Sequence, residues 1–317
     1  MKSKAALALF SVWLILLAVC FPGSAADKNW SVGNTDITSI SVSPDGSRVA
    51  IGSYDAKVHV FDNEGNALAS FAANNVVTGV AFLHDGSLLV SSDDRHLYRL
   101  DADGNEMWNV NVKRLVKGVA AAEDGSVIAV ITAGANSVFL YDLDGNLIQE
   151  ADIGIQTRKL DVSPDGSWIA VGGSDQYIYL LDNELNEVNR YSVSGSIESV
   201  SVSDEGVVAA GTSSNTVFAF NAEGGTLFSA KTLDVANAVS VNHDASYFAV
   251  ADFAGNYYVL DQDGKEIWRK SGKGAGRAVQ ISPDSTTLYT GSGTGVVQKF
   301  DIGTVIAAAK QQKTVGN

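Results

Sequence analysis

From about residue 37 to residue 301 the apolar positions fall in short runs, every second residue, with tight polar turns between the runs. "SISV" (Ser39 to Val42), "RVAIGS" (Arg48 to Ser53) and "KVHVFD" (Lys57 to Asp62) are three such runs in succession. A period of two sends alternate side chains to opposite faces, so each run is read as a strand. Many of the turns contain Asp-Gly. Aspartate bonds its own backbone there, and glycine takes the positive φ that a hairpin turn requires. No stretch of about 10 to 15 residues carries a helical pattern between the runs, which excludes parallel βαβ units.

The runs recur at a fixed interval. "VSPDGSRVAIGSYDAKVHVFDNEGN" (Val42 to Asn66) lies over "VSPDGSWIAVGGSDQYIYLLDNELN" (Val162 to Asn186) without a gap, 120 residues later. The acidic residue of the first turn forms a column: Asp45, Asp85, Asp124, Asp165, Glu205, Asp244 and Asp284, at intervals of 39 to 41 residues. A second column holds Asp62, Asp101, Asp142, Asp182, Asn221, Asp261 and Asp301 at the same beat. Seven repeats of four antiparallel strands, about 40 residues each, predict an all-β fold, a seven-bladed β-propeller. A closed ring hides the edges that a lone sheet would expose.

The two ends predict how the ring closes. "KNWSVG" (Lys28 to Gly33) resembles the fourth strands "EIWRKSG" and "EMWNVNV", so Trp30 is expected in the outer strand of the last blade, beside strands from 276–301. The alternative is that the C-terminal tail supplies that strand. The expected division is a signal peptide at 1–26, a propeller at 27–303 and a tail at 304–317, Ala-rich enough for a short helix. Lys2 and Lys4 precede an apolar run from Ala5 to Phe21, and small residues follow at Ser24 and Ala26. That order reads as a secretory leader, with an uncleaved anchor as the alternative. "LAVC" resembles a lipobox ending at Cys20, but Val19 stands where that motif wants a small residue. Cys20 is the only cysteine, so disulfides cannot staple the mature fold.

Charge narrows the partners. The full chain carries −14; removing Lys2 and Lys4 leaves 20 basic residues against 36 acidic ones, a net of −16. Nucleic acid and anionic membrane would both be repelled. More than half of the acidic residues belong to the two turn columns and their neighbours.

The repeats as a whole resemble the WD-repeat-like and quinoprotein-like (pyrroloquinoline-quinone-type) propellers. "SPDGSRVAIGSYDAKVHVFD" is similar to a WD repeat with Phe-Asp in place of Trp-Asp, and lacks that family's Gly-His dipeptide. "LDADGNEMW" (Leu100 to Trp108), with its late tryptophan, is similar to the quinoprotein type. A quinoprotein dehydrogenase would be expected to carry a vicinal Cys-Cys pair and calcium beside a cofactor-stacking tryptophan. The mature chain has no cysteine, so no cofactor is expected. "SPDGSW" (Ser163 to Trp168) approaches a sialidase Asp-box with the wrong spacing. No phosphate loop or nucleophile elbow appears, and nothing points to a Ser–His–Asp triad.

Three sets of residues remain. The turns "DADGN", "DLDGN" and "DQDGK" (from Asp101, Asp142 and Asp261) are read as turn chemistry, against a calcium reading that wants more oxygens than they offer. His84 and His243 replace the proline before a turn acid, His59 and His96 lie by third strands, and none has metal-ligand spacing. The third set lies seven residues before each turn acid: Thr38, Thr78, Lys117, Arg158, Glu198, Asn237 and Arg277. This column is polar throughout. Two residues on, Ile40, Val80, Val119, Leu160, Val200, Val239 and Val279 are uniformly aliphatic. The polar column is expected to ring one mouth of the central channel, where Lys117, Arg158 and Arg277, with Arg114 and Lys159 near, offer a site for an anionic group. The alternative is a solvated rim.

The expected function is therefore a non-enzymatic, monomeric binding or scaffold propeller, secreted, periplasmic or at the cell surface. It would engage a protein partner through Lys117, Arg158, Glu198, Asn237 and Arg277. In role it resembles the eight-bladed propeller lipoproteins of outer-membrane protein assembly. The alternatives are a quinone-dependent or other channel enzyme and a carbohydrate-binding propeller.

Overall fold

The computed structural model describes residues 27–307; the expected leader with Cys20, and residues 308–317, lie outside the described residues. Within that span, 28 strands form seven antiparallel sheets of four. Six blades are built from consecutive strands, the first from Ile37–Val42, Arg48–Ser53, Lys57–Asp62 and Ala67–Ala72. The seventh joins Gly276–Ile281, Thr287–Ser292 and Val296–Asp301 to Lys28–Ser31. The seven-bladed propeller read from the repeat is the fold observed, closed by the N-terminal strand.

Burial follows a strand's place in its blade. Second strands such as Leu88–Ser92 and Ile128–Thr132 are buried at every position, because both of their faces meet a neighbouring blade. Outer strands such as Glu106–Asn111 alternate between exposed and half-buried, the pattern of a sheet with one covered face. The core is thus a series of layers between blades. One layer packs Ile131 and Val138 against Val171 and Tyr179; another packs Ala209 and Val217 against Phe248 and Val250.

A second fastening runs near the rim. In six of the seven blades the third residue of the outer strand leans on the third-to-fourth-strand turn of the next blade. Trp108 packs on Gly145, and its indole Nε1 donates to Leu143 O at 2.9 Å. Gln149 donates to Glu184 O, Asn189 donates to Ala222 O, and Phe228 lies over Gly264. Gly145 has φ of 81°, and a Cβ there would come within 2.9 Å of Val110 and 3.2 Å of the Trp108 ring. Only glycine meets both demands.

Trp30 repeats this contact at the ring closure. It pairs with Val297, rests on Gly65 of blade 1, and lies 5.9 Å from the Phe61 ring. Lys28 adds an ion pair to Glu64 of the same turn. After the last strand, residues 303–307 form a helical turn, and Ile306 joins Ile302, Leu288 and Phe300 in a buried cluster. The start of the expected tail is therefore packed against the core. Among the described residues no helix is long and apolar enough to cross a membrane.

Candidate functional site

Seven innermost strands stand side by side around the axis and enclose a channel of about 340 Å³. An innermost strand has one unpaired edge, so its outward N–H and C=O groups need partners other than a strand. Side chains of the neighbouring blade supply them. Ser39 Oγ accepts from Val80 N–H, Ser41 Oγ from Phe82 N–H, Ser199 Oγ from Val239 N–H and Ser201 Oγ from Val241 N–H, at 3.1 to 3.2 Å. In blade 4 an aspartate holds the corresponding place: Asp161 Oδ2 accepts from Val202 N–H at 2.9 Å. Carbonyl edges are met from the polar column, where Thr38 donates to Val77 O, Thr78 to Val116 O and Asn237 to Gly276 O.

Beyond Arg158 on the innermost strand of blade 4, Thr157–Val162, two further ionisable groups line the channel, Lys159 and Asp161. Both are hemmed in by protein while touching channel solvent. Desolvation lowers the Lys159 ammonium from its ordinary range, partly offset by Glu198. Desolvation likewise pushes the Asp161 carboxyl up to about 6, against the Val202 N–H and Ser201 bonds that favour its charge.

All five residues expected to bind a partner line this channel, at the end where the innermost strands begin. Their chemistry divides them. Lys117 Nζ meets both carboxylate oxygens of Asp93, at 2.7 and 2.9 Å. Arg277 Nη2 lies 3.0 Å from Asp36 Oδ2, and its guanidinium stands over Phe253 at 5.2 Å. Asn237 is committed to the next blade. Arg158 is exposed with no ion pair among the described residues, and Glu198 is half-buried. The ring of cations is thus partly neutralised by acids from adjoining loops. Around it the same face exposes Tyr54 (64%), Phe253 (48%) and Leu233 (65%). Tyr54 N–H bonds to Asp36 O and Phe253 N–H to Val235 O, so these side chains stand on the loops that border Arg277.

The opposite mouth holds a feature that sequence reasoning missed. The residues just before the turn acids are Pro44, His84, Glu123, Pro164, Asp204, His243 and Pro283. Five of these seven line the channel, all but His84 and Asp204. Glu123 of blade 3 reaches His84 Nε2 of blade 2 at 3.6 Å and His243 Nε2 of blade 6 at 3.5 Å. His243 Nδ1 in turn lies 3.1 Å from Asp204 Oδ2 of blade 5. Blades 3 and 6 are not neighbours, so the Glu123–His243 contact spans the mouth. The two histidines are more than turn residues; they belong to a tie across the floor of the channel. The only sequence signal was four titratable residues sharing a proline column. Among the described residues no group of three or more His, Cys, Asp or Glu is arranged to hold a metal ion.

Comparison with known families agrees with this architecture. Residues 25–164 match the family described as outer membrane protein assembly factor BamB, and residues 155–182 match the WD domain, G-beta repeat. No curated protein matches the chain. The chain is a propeller whose repeats are similar to the quinoprotein type in its first half and to the WD type at its centre.

Proposed function

We propose that this propeller is a non-enzymatic binding scaffold of the cell envelope that engages a protein partner through the channel face bearing Arg158 and Arg277. The observation that carries this reading is the exposure of Tyr54, Phe253 and Leu233 around Arg277, on the face opposite the His84–Glu123–His243 tie. Aromatic residues and arginine are the side chains that dominate binding energy at protein interfaces. Here they stand on loops held by a rigid ring, the usual place for recognition. The likeness of residues 25–164 to an outer membrane protein assembly factor family supports an envelope scaffold, and the leader expected at 1–26 supports export.

The reading has a direct test. Crosslinking in native envelopes followed by mass spectrometry should recover a partner with the wild-type chain. Recovery should fall at least about tenfold when Tyr54→Ala, Arg158→Ala and Phe253→Ala are combined, as expected for the loss of anchor residues. Undiminished recovery in that variant would overturn the assignment.

A further inference from the structure

The channel face is not uniform, and one sector carries cations without counter-charges. Arg95 lies in the turn between the second and third strands of blade 2; Lys113 and Arg114 lie in the loop from blade 2 to blade 3. Val112 N–H donates to Arg95 O at 2.9 Å, which brings the two loops together. All three side chains are exposed, and none has an ion pair among the described residues. The acids nearby are already engaged. Asp93 binds Lys117, while Asp94 accepts from Tyr98 OH, Asn74 N–H and His96 N–H. Leu115, 37% exposed, completes the strip.

The backbone beneath these cations is unusual for the residues it carries. Arg95 has φ of 79° and Lys113 φ of 65°, in the left-handed region where side chains with a Cβ are disfavoured. The loop from blade 3 to blade 4 makes the same turn with Gly154, whose N–H is capped by Asp152 as Lys113 N–H is capped by Asn111. In the second-to-third-strand turns, Ala56, Gln176, Asn215 and Gly255 hold the place of Arg95. Blade 2 alone puts a charged residue there. Neither cation has an ion pair among the described residues to offset that backbone cost, which points to a contact outside the chain.

We infer that Arg95, Lys113, Arg114 and Leu115 form a docking shoulder for an acidic polypeptide segment carrying apolar side chains. This rests on the reading that the channel face is the partner face, and it adds the partner's chemistry. Charge complementarity selects the occupant. A chain of net −16 outside the leader repels anions in general, so a strip of three free cations is selective for a narrow anionic segment. A flat anionic surface would also meet Asp55, Asp175 and Asp234 on the same face, whereas a segment avoids them. Leu115 gives an apolar neighbour of the acidic segment a place to rest.

The test uses the mature chain and a fluorescein-labelled peptide of alternating glutamate and leucine, followed by anisotropy. Saturable binding is expected at low salt, weakening as salt rises. Lys113→Glu with Arg114→Glu should weaken it about tenfold or more. Lys113→Gly keeps the backbone conformation and removes one cation, so a several-fold loss there excludes misfolding as the cause. Absence of binding, or equal affinity in the double reversal, would overturn the shoulder. So would binding confined to phosphatidylglycerol vesicles in a parallel sedimentation arm. The shoulder and the partner face fail separately. Unchanged peptide affinity in Lys113→Glu/Arg114→Glu, with crosslinked partner lost in the Tyr54/Arg158/Phe253 variant, sinks the shoulder alone. The reverse outcome sinks the partner-face reading alone.

Discussion

Asp161 shows how one residue can serve the ring and tax it at once. Its carboxylate does what serine does in other blades, accepting the edge N–H of Val202. Unlike serine, it also has to ionise in a walled channel, and desolvation pushes its pKa up to about 6. Its raised value has a definite sign. Between about pH 4 and 6 the folded state holds more protons than the unfolded, so stability falls as pH rises through that window. Asp161→Asn retains an acceptor oxygen and removes the ionisation. Above pH 7 it should be more stable than the wild type by on the order of 1–2 kcal/mol, after allowance for channel water. Denaturant melts at pH 4.5 and 7.5 would show it; an equal gain at both values would exclude this cause.

The turn aspartates behave oppositely. Side-chain bonds from Asn66, Asn105 and Asn146 hold Asp62, Asp101 and Asp142 below the usual carboxylate range. What they contribute is present above about pH 4 and is lost as pH falls through their depressed values. Asn105→Ala should therefore shift acid unfolding to higher pH, read by far-ultraviolet circular dichroism along an acid titration. No shift would mean that the Asp101 turn does not limit acid stability.

At the scale of the element, the blades were legible because strand periodicity and Asp-Gly turns repeat with little variation. The closing strand was legible for the same reason, since "KNWSVG" looks like other outer strands. What escaped was any contact between residues that share no register. The polar column from Thr38 to Arg277 is visible at a fixed spacing, yet the acids that neutralise Lys117 and Arg277 come from loops with no periodic relation to it. The tie at the channel floor escaped for a related reason. His84, Glu123, Asp204 and His243 are chemically unlike, and Glu123 meets His243 only because the ring curves. The rim fastening gives the element-scale prediction. Trp108→Ala removes a half-buried indole and its bond to Leu143 O, and should cost about 3 kcal/mol. Ala69, which holds the same position in blade 1, offers the control: Ala69→Gly should cost about 1 kcal/mol or less. Urea melts of the two variants compare them directly, and similar losses would mean that the fastening adds little.

For the whole molecule, charge is distributed so that the two faces of the disc are unequal. The turn face carries Asp45, Asp62, Asp101, Asp103, Asp142, Asp144 and their counterparts, while Arg95, Lys113, Arg114, Arg158 and Arg277 belong to the channel face. The first group lies a blade's height from the second, beyond the Debye length of about 8 Å at physiological salt and within that of about 30 Å in dilute buffer. An acidic partner approaching in dilute buffer feels repulsion from the turn face and attraction only near the opposite one. Asp103→Lys with Asp144→Lys touches no residue of the proposed interface and lowers the long-range repulsion. Association of the glutamate–leucine peptide should then speed up about two- to threefold at low salt, with dissociation unchanged, because remote charges act on encounter and not on the bound state. In about 0.5 M salt the two chains should become indistinguishable. Stopped-flow anisotropy separates the two rates. A change in dissociation would place the turn face in the contact itself, and acceleration that survives high salt would rule out a long-range field as its origin.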